Sequence, residues 1–207
     1  MKIRDAILAE SLPLPPIPAD LAYQFVVAGN GLFIRAEDSR IEAMVPVALG
    51  AVHGLEFVET SARLKVPRVT PQFLWAIAKS ARAHLPNEAI YQFSWEDDLW
   101  RCFMPQNTAS PVGLDFEDRA GAVIDLHSHG TSSAFFSETD DGDEQGLRFY
   151  AVVGQVDRDW PQIAVRVGVY GHTWNVTQTT VFEGGPFVQV DPEVEQVLAE
   201  WSDEESR

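Results

Sequence analysis

The chain has 207 residues, 45% of them apolar, with six Trp and twelve Phe, which suits one well-packed domain. Fifteen basic against thirty-one acidic residues leave a net charge of -16, which argues against nucleic acid and anionic membranes as partners, since both need a positive footprint. The single cysteine, Cys102, excludes a disulfide framework within one chain.

In chain order, residues 11–18 hold four prolines and read as an extended arm. Tyr23 to Arg35 reads as a β-hairpin around Gly29-Asn30-Gly31, and Ile41 to Val47 as a further strand. Residues 1–65 are therefore expected to form a β-rich N-terminal extension. A helix is signalled by Thr70 at its N-cap, Pro71 in first place and Phe73, Leu74, Ile77, Ala78 and Ala81 at helical spacing. Pro86 ends it. Ala89 to Trp95 alternates as a strand, with Ala89, Tyr91, Phe93 and Trp95 on one face and Glu88, Ile90, Gln92 and Ser94 on the other. Glu96-Asp97-Asp98 reads as a turn before a returning strand at Leu99 to Met104, and Gln106 to Ala120 as a loop. Further strands are expected at Ala122 to His129, Phe149 to Val156, Ile163 to Tyr170 and Trp174 to Phe182. A helix start falls at Ser137 to Gly146, and residues 191–207 read as an acidic C-terminal tail with a short helix.

The chemistry concentrates in fourteen residues, from His127-Ser128-His129 to Ser137-Glu138-Thr139-Asp140. Strand periodicity puts His127 and His129 on one face with Ser128 pointing away, and Asp125 shares the histidines' face, where it could orient an imidazole. Ser137 and Asp140 fall on one side of a first helical turn, within reach of the histidines. Two His and one Asp can fill three positions around zinc and leave a fourth for water, the pattern of a catalytic site. The competing reading of Ser137 and Asp140 is a helix-capping pair. Phe135 and Phe136 either contact a substrate or anchor the loop in the core.

This motif resembles the signature of the JAB/MPN (JAMM) zinc metalloproteases, among them isopeptidases that remove ubiquitin-like proteins. The resemblance covers roughly residues 66–183, within a domain expected at 66–190, and implies a three-layer α-β-α sandwich with a mixed sheet, of the cytidine deaminase-like type in the α/β class. It implies His127, His129 and Asp140 as ligands of Zn2+, Ser137 as oxyanion support, and Glu88 as general base. Glu88 matches the family's position between a helix and a strand, while Glu96, the rival, sits in an acidic turn. Asp125-Leu126-His127-Ser128-His129-Gly130 and Ala134-Phe135-Phe136-Ser137 are similar to a prokaryotic branch found beside ubiquitin-like and activating-enzyme-like proteins. Partners implied are thus a ubiquitin-like protein or its conjugates and an activating-enzyme-like protein. Gly130 departs from the family, many members of which have Pro there.

Asp125-Leu126-His127-Ser128-His129 also resembles the opening of the PHP phosphoesterases. Those sites need several later His ligands, and only His172 follows His129 here. The second function class is a non-catalytic MPN scaffold, whose members typically lose a metal ligand; none is lost here. Cys102, His53, His84 and His172 read as ordinary structural residues. Charges at Lys2, Arg4, Asp5 and Glu10, with no apolar run near the roughly 20 residues of a membrane span, lead to an expectation of a cytoplasmic protein.

Overall fold

Five short strands open the chain: β1 (Ile7–Leu8), β2 (Gln24–Ala28), β3 (Gly31–Glu37), β4 (Ile41–Leu49) and β5 (Ser61–Leu64). They form one sheet in chain order, with β1 parallel to β2 and the rest antiparallel. The expected Gly-Asn-Gly hairpin joins β2 to β3, and Gly31, at φ 144°, supplies the backbone freedom the turn requires. The computed structural model describes residues 6–105, 107–110, 113–116, 121–137, 140, 142 and 144–191.

Helix α1 (Pro71–His84) starts where Thr70 and Pro71 signal it, although Thr70 makes no side-chain cap bond. Its buried stripe is Leu74, Ile77 and Ala81, the i, i+3, i+7 spacing of a helix lying on a core. Next come β6 (Ile90–Glu96) and β7 (Leu99–Phe103), turned by Asp97 and Asp98 with φ of 52° and 58°. A separate hairpin follows, β8 (Asn107–Ser110) and β9 (Gly113–Phe116). The remaining elements are β10 (Ala122–Ser128), β11 (Leu147–Gly154), β12 (Gln162–Val169), β13 (His172–Asn175), a 3-10 turn at Gln178–Thr180, and β14 (Val188–Gln189).

The larger sheet runs β13-β12-β11-β10-β6-β7, with β14 alongside β12. It is mixed: β10 and β11 are parallel, β12 and β14 are parallel, and the other pairs are antiparallel. The architecture of the described residues is thus mostly β with one α-helix, within the general α/β class.

Alternation along β10 and β11 sends Ile124, Leu126, Phe149, Ala151 and Val153 to one face. There they meet Leu74, Ile77 and Ala81 of α1, and also Ile34, Ala36, Ile41, Ala43 and Val45 of the first sheet. One core therefore spans both sheets and the helix. The opposite face carries a smaller cluster of Ala134, Phe136, Tyr150, Val152, Ala164 and Val190. The metal-ligand candidates lie on that second face.

Two expectations need correction. Gln106 to Ala120 holds the β8–β9 hairpin, whose pairing from Asn107↔Phe116 to Ser110↔Gly113 is local and leaves little apolar alternation to read. The strand expected at Trp174 to Phe182 begins earlier and is shorter. Tyr170 and Gly171, with φ of 50° and 86°, turn the chain so that pairing starts at His172. The Val176 amide makes a last bond to Val165, and the chain then enters the 3-10 turn. β5 and β14 lie outside the expected strands. The helix expected at Ser137 to Gly146 is described only in part, by the 3.1 Å bond from the Glu144 amide to the Asp140 carbonyl; the helix in the tail lies outside the described residues. No helix among the described residues is long and apolar enough to cross a membrane.

Candidate metal centre

β10 ends at Ser128, at the carboxyl end of the parallel β10–β11 pair, where open α/β sheets collect their ligands. His127 stands half-buried on the second face, and His129 follows it with its amide bonded to the Val153 carbonyl at 2.8 Å. The two Nε2 atoms are 3.1 Å apart, and His127 Nε2 is 3.3 Å from Asp140 Oδ1. One ligand atom from each of the three residues lies within 4.8 Å of the others. Tetrahedral zinc with bonds of about 2.0–2.1 Å sets its ligands about 3.3 Å apart, so these spacings fit such an ion. The donor set, two imidazole nitrogens and a carboxylate oxygen, suits zinc chemically. His127 and Asp140 keep 19% and 18% exposure, so solvent can reach the cluster.

Asp140 divides its two oxygens. Oδ1 faces His127, while Oδ2 accepts from the Ser137 amide at 2.7 Å and from its hydroxyl at 2.8 Å. The Asp140 amide returns to Ser137 Oγ at 3.4 Å. This is the reciprocal pattern of a capping box, with Asp in the place of Glu. Capping and facing the histidines are therefore compatible.

Glu88 is brought to the same place by register. β6 pairs antiparallel with β10 through His127↔Ile90, and Ser128 continues the ladder with its amide on the Ala89 carbonyl at 2.9 Å. Carried one residue further, that register puts Glu88 opposite His129, on the histidines' face. The residue as a whole keeps access to solvent. Glu96 sits at the far end of β6, about 26 Å along an extended strand, bonded to Ser94 at 2.7 Å and paired with Arg101 at 3.4 Å. It takes no part in this cluster.

The electrostatics follow from burial and crowding. Burial, reinforced by His127, pushes His129 down to about 4, with Asp140 and the Ser133 backbone opposing. A neutral ring is the form that binds metal. Burial works to raise Asp140, yet His127, the amide and hydroxyl of Ser137, and His129 together hold its carboxyl below the usual range. Desolvation, the largest influence, and the neighbouring Asp140 lift Glu88 above the usual carboxylate range, while His127 opposes them.

The surrounding residues hold this arrangement. Phe135 packs edge-on against His129, with centroids 4.8 Å apart, and Phe136 is buried under Arg166. Both rings anchor the loop. Asp125 takes bonds from Gln92 at 3.0 Å and Arg148 at 2.7 Å. Gly130 adopts φ 57°, a value closed to proline, and its carbonyl accepts from the Val156 amide at 3.0 Å. Hydrogen bonds fix this loop where a proline would stiffen it. Cys102 is half-buried, its thiol pushed up to about 12 by burial. His172 meets Phe25 edge-on in β13, far along the sheet from the cluster.

Two residues escaped the sequence reading. Ser128 is fully buried and its Oγ accepts the Ala89 amide at 2.9 Å, pinning the residue after Glu88 to the strand that carries the histidines. Gly154 lets the chain after His129 lie against β11, for a Cβ there would stand 2.3 Å from the Ala134 nitrogen. A small polar residue between two histidines was the visible signal for the first; nothing in the sequence marked the second. Residues 71–167 match a family model described as prokaryotic homologs of the JAB domain. No curated protein matches the chain.

Proposed function

We propose that the chain, whose residues 71–167 match the prokaryotic JAB model, is a member of that family and a zinc-dependent JAMM-type protease of the cytoplasm. Its reaction is hydrolysis of a peptide or isopeptide bond, and its substrate class is a ubiquitin-like protein or its conjugates. An activating-enzyme-like protein is a companion in the same system. The domain is then a three-layer α-β-α sandwich, with α1 as one outer layer. The observation that carries the reading is the convergence of His127, His129 and Asp140 within 4.8 Å of one another, with Glu88 on the same face.

When bound, zinc supplies Lewis acidity, bringing the pKa of water from about 15.7 to about 7 so that it can attack an amide near neutral pH. His127, His129 and Asp140 would hold the ion. Glu88, whose affinity for a proton is already raised, accepts one from the attacking water and hands it to the departing amine. Ser137 can turn its hydroxyl from Asp140 Oδ2 toward the substrate's oxyanion, because its own amide keeps that oxygen satisfied.

Zinc content and cleavage of a ubiquitin-like fusion protein test this in wild type, Glu88→Ala and Asp140→Ala. Asp140→Ala is expected to lose zinc. Glu88→Ala is expected to keep zinc and lose at least about a hundredfold in kcat, the scale of general acid–base catalysis. A wild-type chain that binds no zinc would end the enzyme reading. One that binds zinc and cleaves no candidate conjugate would favour the non-catalytic scaffold.

A further inference from the structure

Arg166 is the only charged residue in the run Ile163–Val169 of β12. Its side chain is 7% exposed, that of its partner Glu144 6%. Arg166 Nε donates to Glu144 Oε2 at 2.7 Å, and its guanidinium carbon lies 3.8 Å over the centre of the Phe136 ring. Those two partners flank the ligand segment. Phe136 immediately precedes Ser137, and Glu144 follows Asp140 by four residues. The Glu144 amide bonds to the Asp140 carbonyl at 3.1 Å, and Asp140 Oδ2 is held by Ser137. The contacts close on themselves: Arg166, Glu144, Asp140, Ser137, Phe136 and back to Arg166.

The histidines ride on or beside a strand paired on both sides, so the sheet itself aims them. Asp140 alone comes from off the sheet. A buried ion pair is weak support for stability, since well-packed apolar residues often do as well. What an arginine adds is direction, because its planar fork takes a carboxylate and stacks on an aromatic face at fixed geometry. We infer that Arg166 is a positioning residue for the metal centre: by gripping Phe136 and Glu144, before and after Asp140 in the chain, it holds Asp140 Oδ1 toward the two imidazoles. This rests on the zinc reading above.

The test is zinc affinity of the full-length protein, titrated against a chromophoric chelator, beside the Tm of each apoprotein. Arg166→Met is expected to weaken zinc about tenfold or more, the scale seen when residues that support metal ligands are lost. Arg166→Lys keeps the charge but not the fork, and should recover part of that loss. Val167→Ala is the control, since Val167 is fully buried on the opposite face of β12, in the main core. It should lower the Tm while leaving zinc affinity within about threefold of wild type. Should Arg166→Met fail to fold, Glu144→Gln, which removes the charge and keeps an acceptor, is expected to weaken zinc in the same direction. Zinc binding as tight in Arg166→Met as in wild type would overturn the inference. So would an equal weakening in Val167→Ala at an equal loss of Tm. A wild-type protein that binds no zinc would overturn the function proposed above together with this inference; zinc bound equally by wild type and variant overturns this inference alone.

Discussion

Asp140 shows why residue-level readings that compete on paper can both hold. Ser-x-x-Asp is a capping pattern and His-x-His with a distant Asp is a ligand pattern, and a carboxylate has two oxygens to divide between them. Ser128 carries the next consequence at this scale. Replacing it with Ala leaves the buried Ala89 amide without its acceptor, a loss of about 1–3 kcal/mol. It also frees the junction that fixes Glu88. Ser128→Ala is therefore expected to keep its zinc and lose roughly tenfold in kcat, the equivalent of about 1.4 kcal/mol in the barrier. Zinc content and turnover on one preparation check this, and zinc lost in step with activity would refute it. The histidine pair was legible because the chain has only five His, two of them adjacent in alternation. Ser128's bond was not, since its partner lies thirty-nine residues away and is a backbone amide.

At the level of elements, the strands with strong apolar alternation and the helix with its Thr-Pro start were readable within a few residues. The β8–β9 hairpin was not, because Asn107–Ser110 and Gly113–Phe116 are too short to show a period in the sequence. The junction between β11 and the loop after His129 is a further contact that periodicity leaves unmarked. The Gln155 amide bonds to the Ser132 carbonyl at 2.7 Å and the Val156 amide to Gly130 at 3.0 Å, so the loop is stitched to the end of β11. Gly154 makes that approach possible. Gly154→Ala would drive a methyl into the backbone of Ser132 to Ala134, with no flexible side chain to give way. The expected cost is about 1–3 kcal/mol, as for overpacking elsewhere, seen as a lower Tm with weakened zinc retention. Unchanged Tm and zinc would mean that the loop shifts freely.

Over the whole molecule, the first sheet is not an appendage. Ile34, Ala36, Ile41, Ala43 and Val45 share one core with Val165, Val167 and Val169 of the larger sheet. Arg40 also reaches across to the Gly121 carbonyl at 2.6 Å, at the entry to β10. Removing residues 1–65 would uncover side chains worth about 1.5–3 kcal/mol each when buried. Residues 66–207 alone are expected to aggregate, which soluble yield and gel filtration would reveal; a folded monomer with an unchanged Tm would contradict this. The order of elements along the chain carries no information on which faces meet. A last consequence comes from the parallel junction between β10 and β11. Parallel neighbours cannot be joined by a tight turn, so the chain must travel from Ser128 to Leu147 before the pair can form. His129 sits at the start of that excursion and Asp140 in its midst. An ion held by both would act as a staple across the excursion, lowering the entropy the chain must surrender to close it. Metal loading would then govern how quickly the central strands find each other during folding.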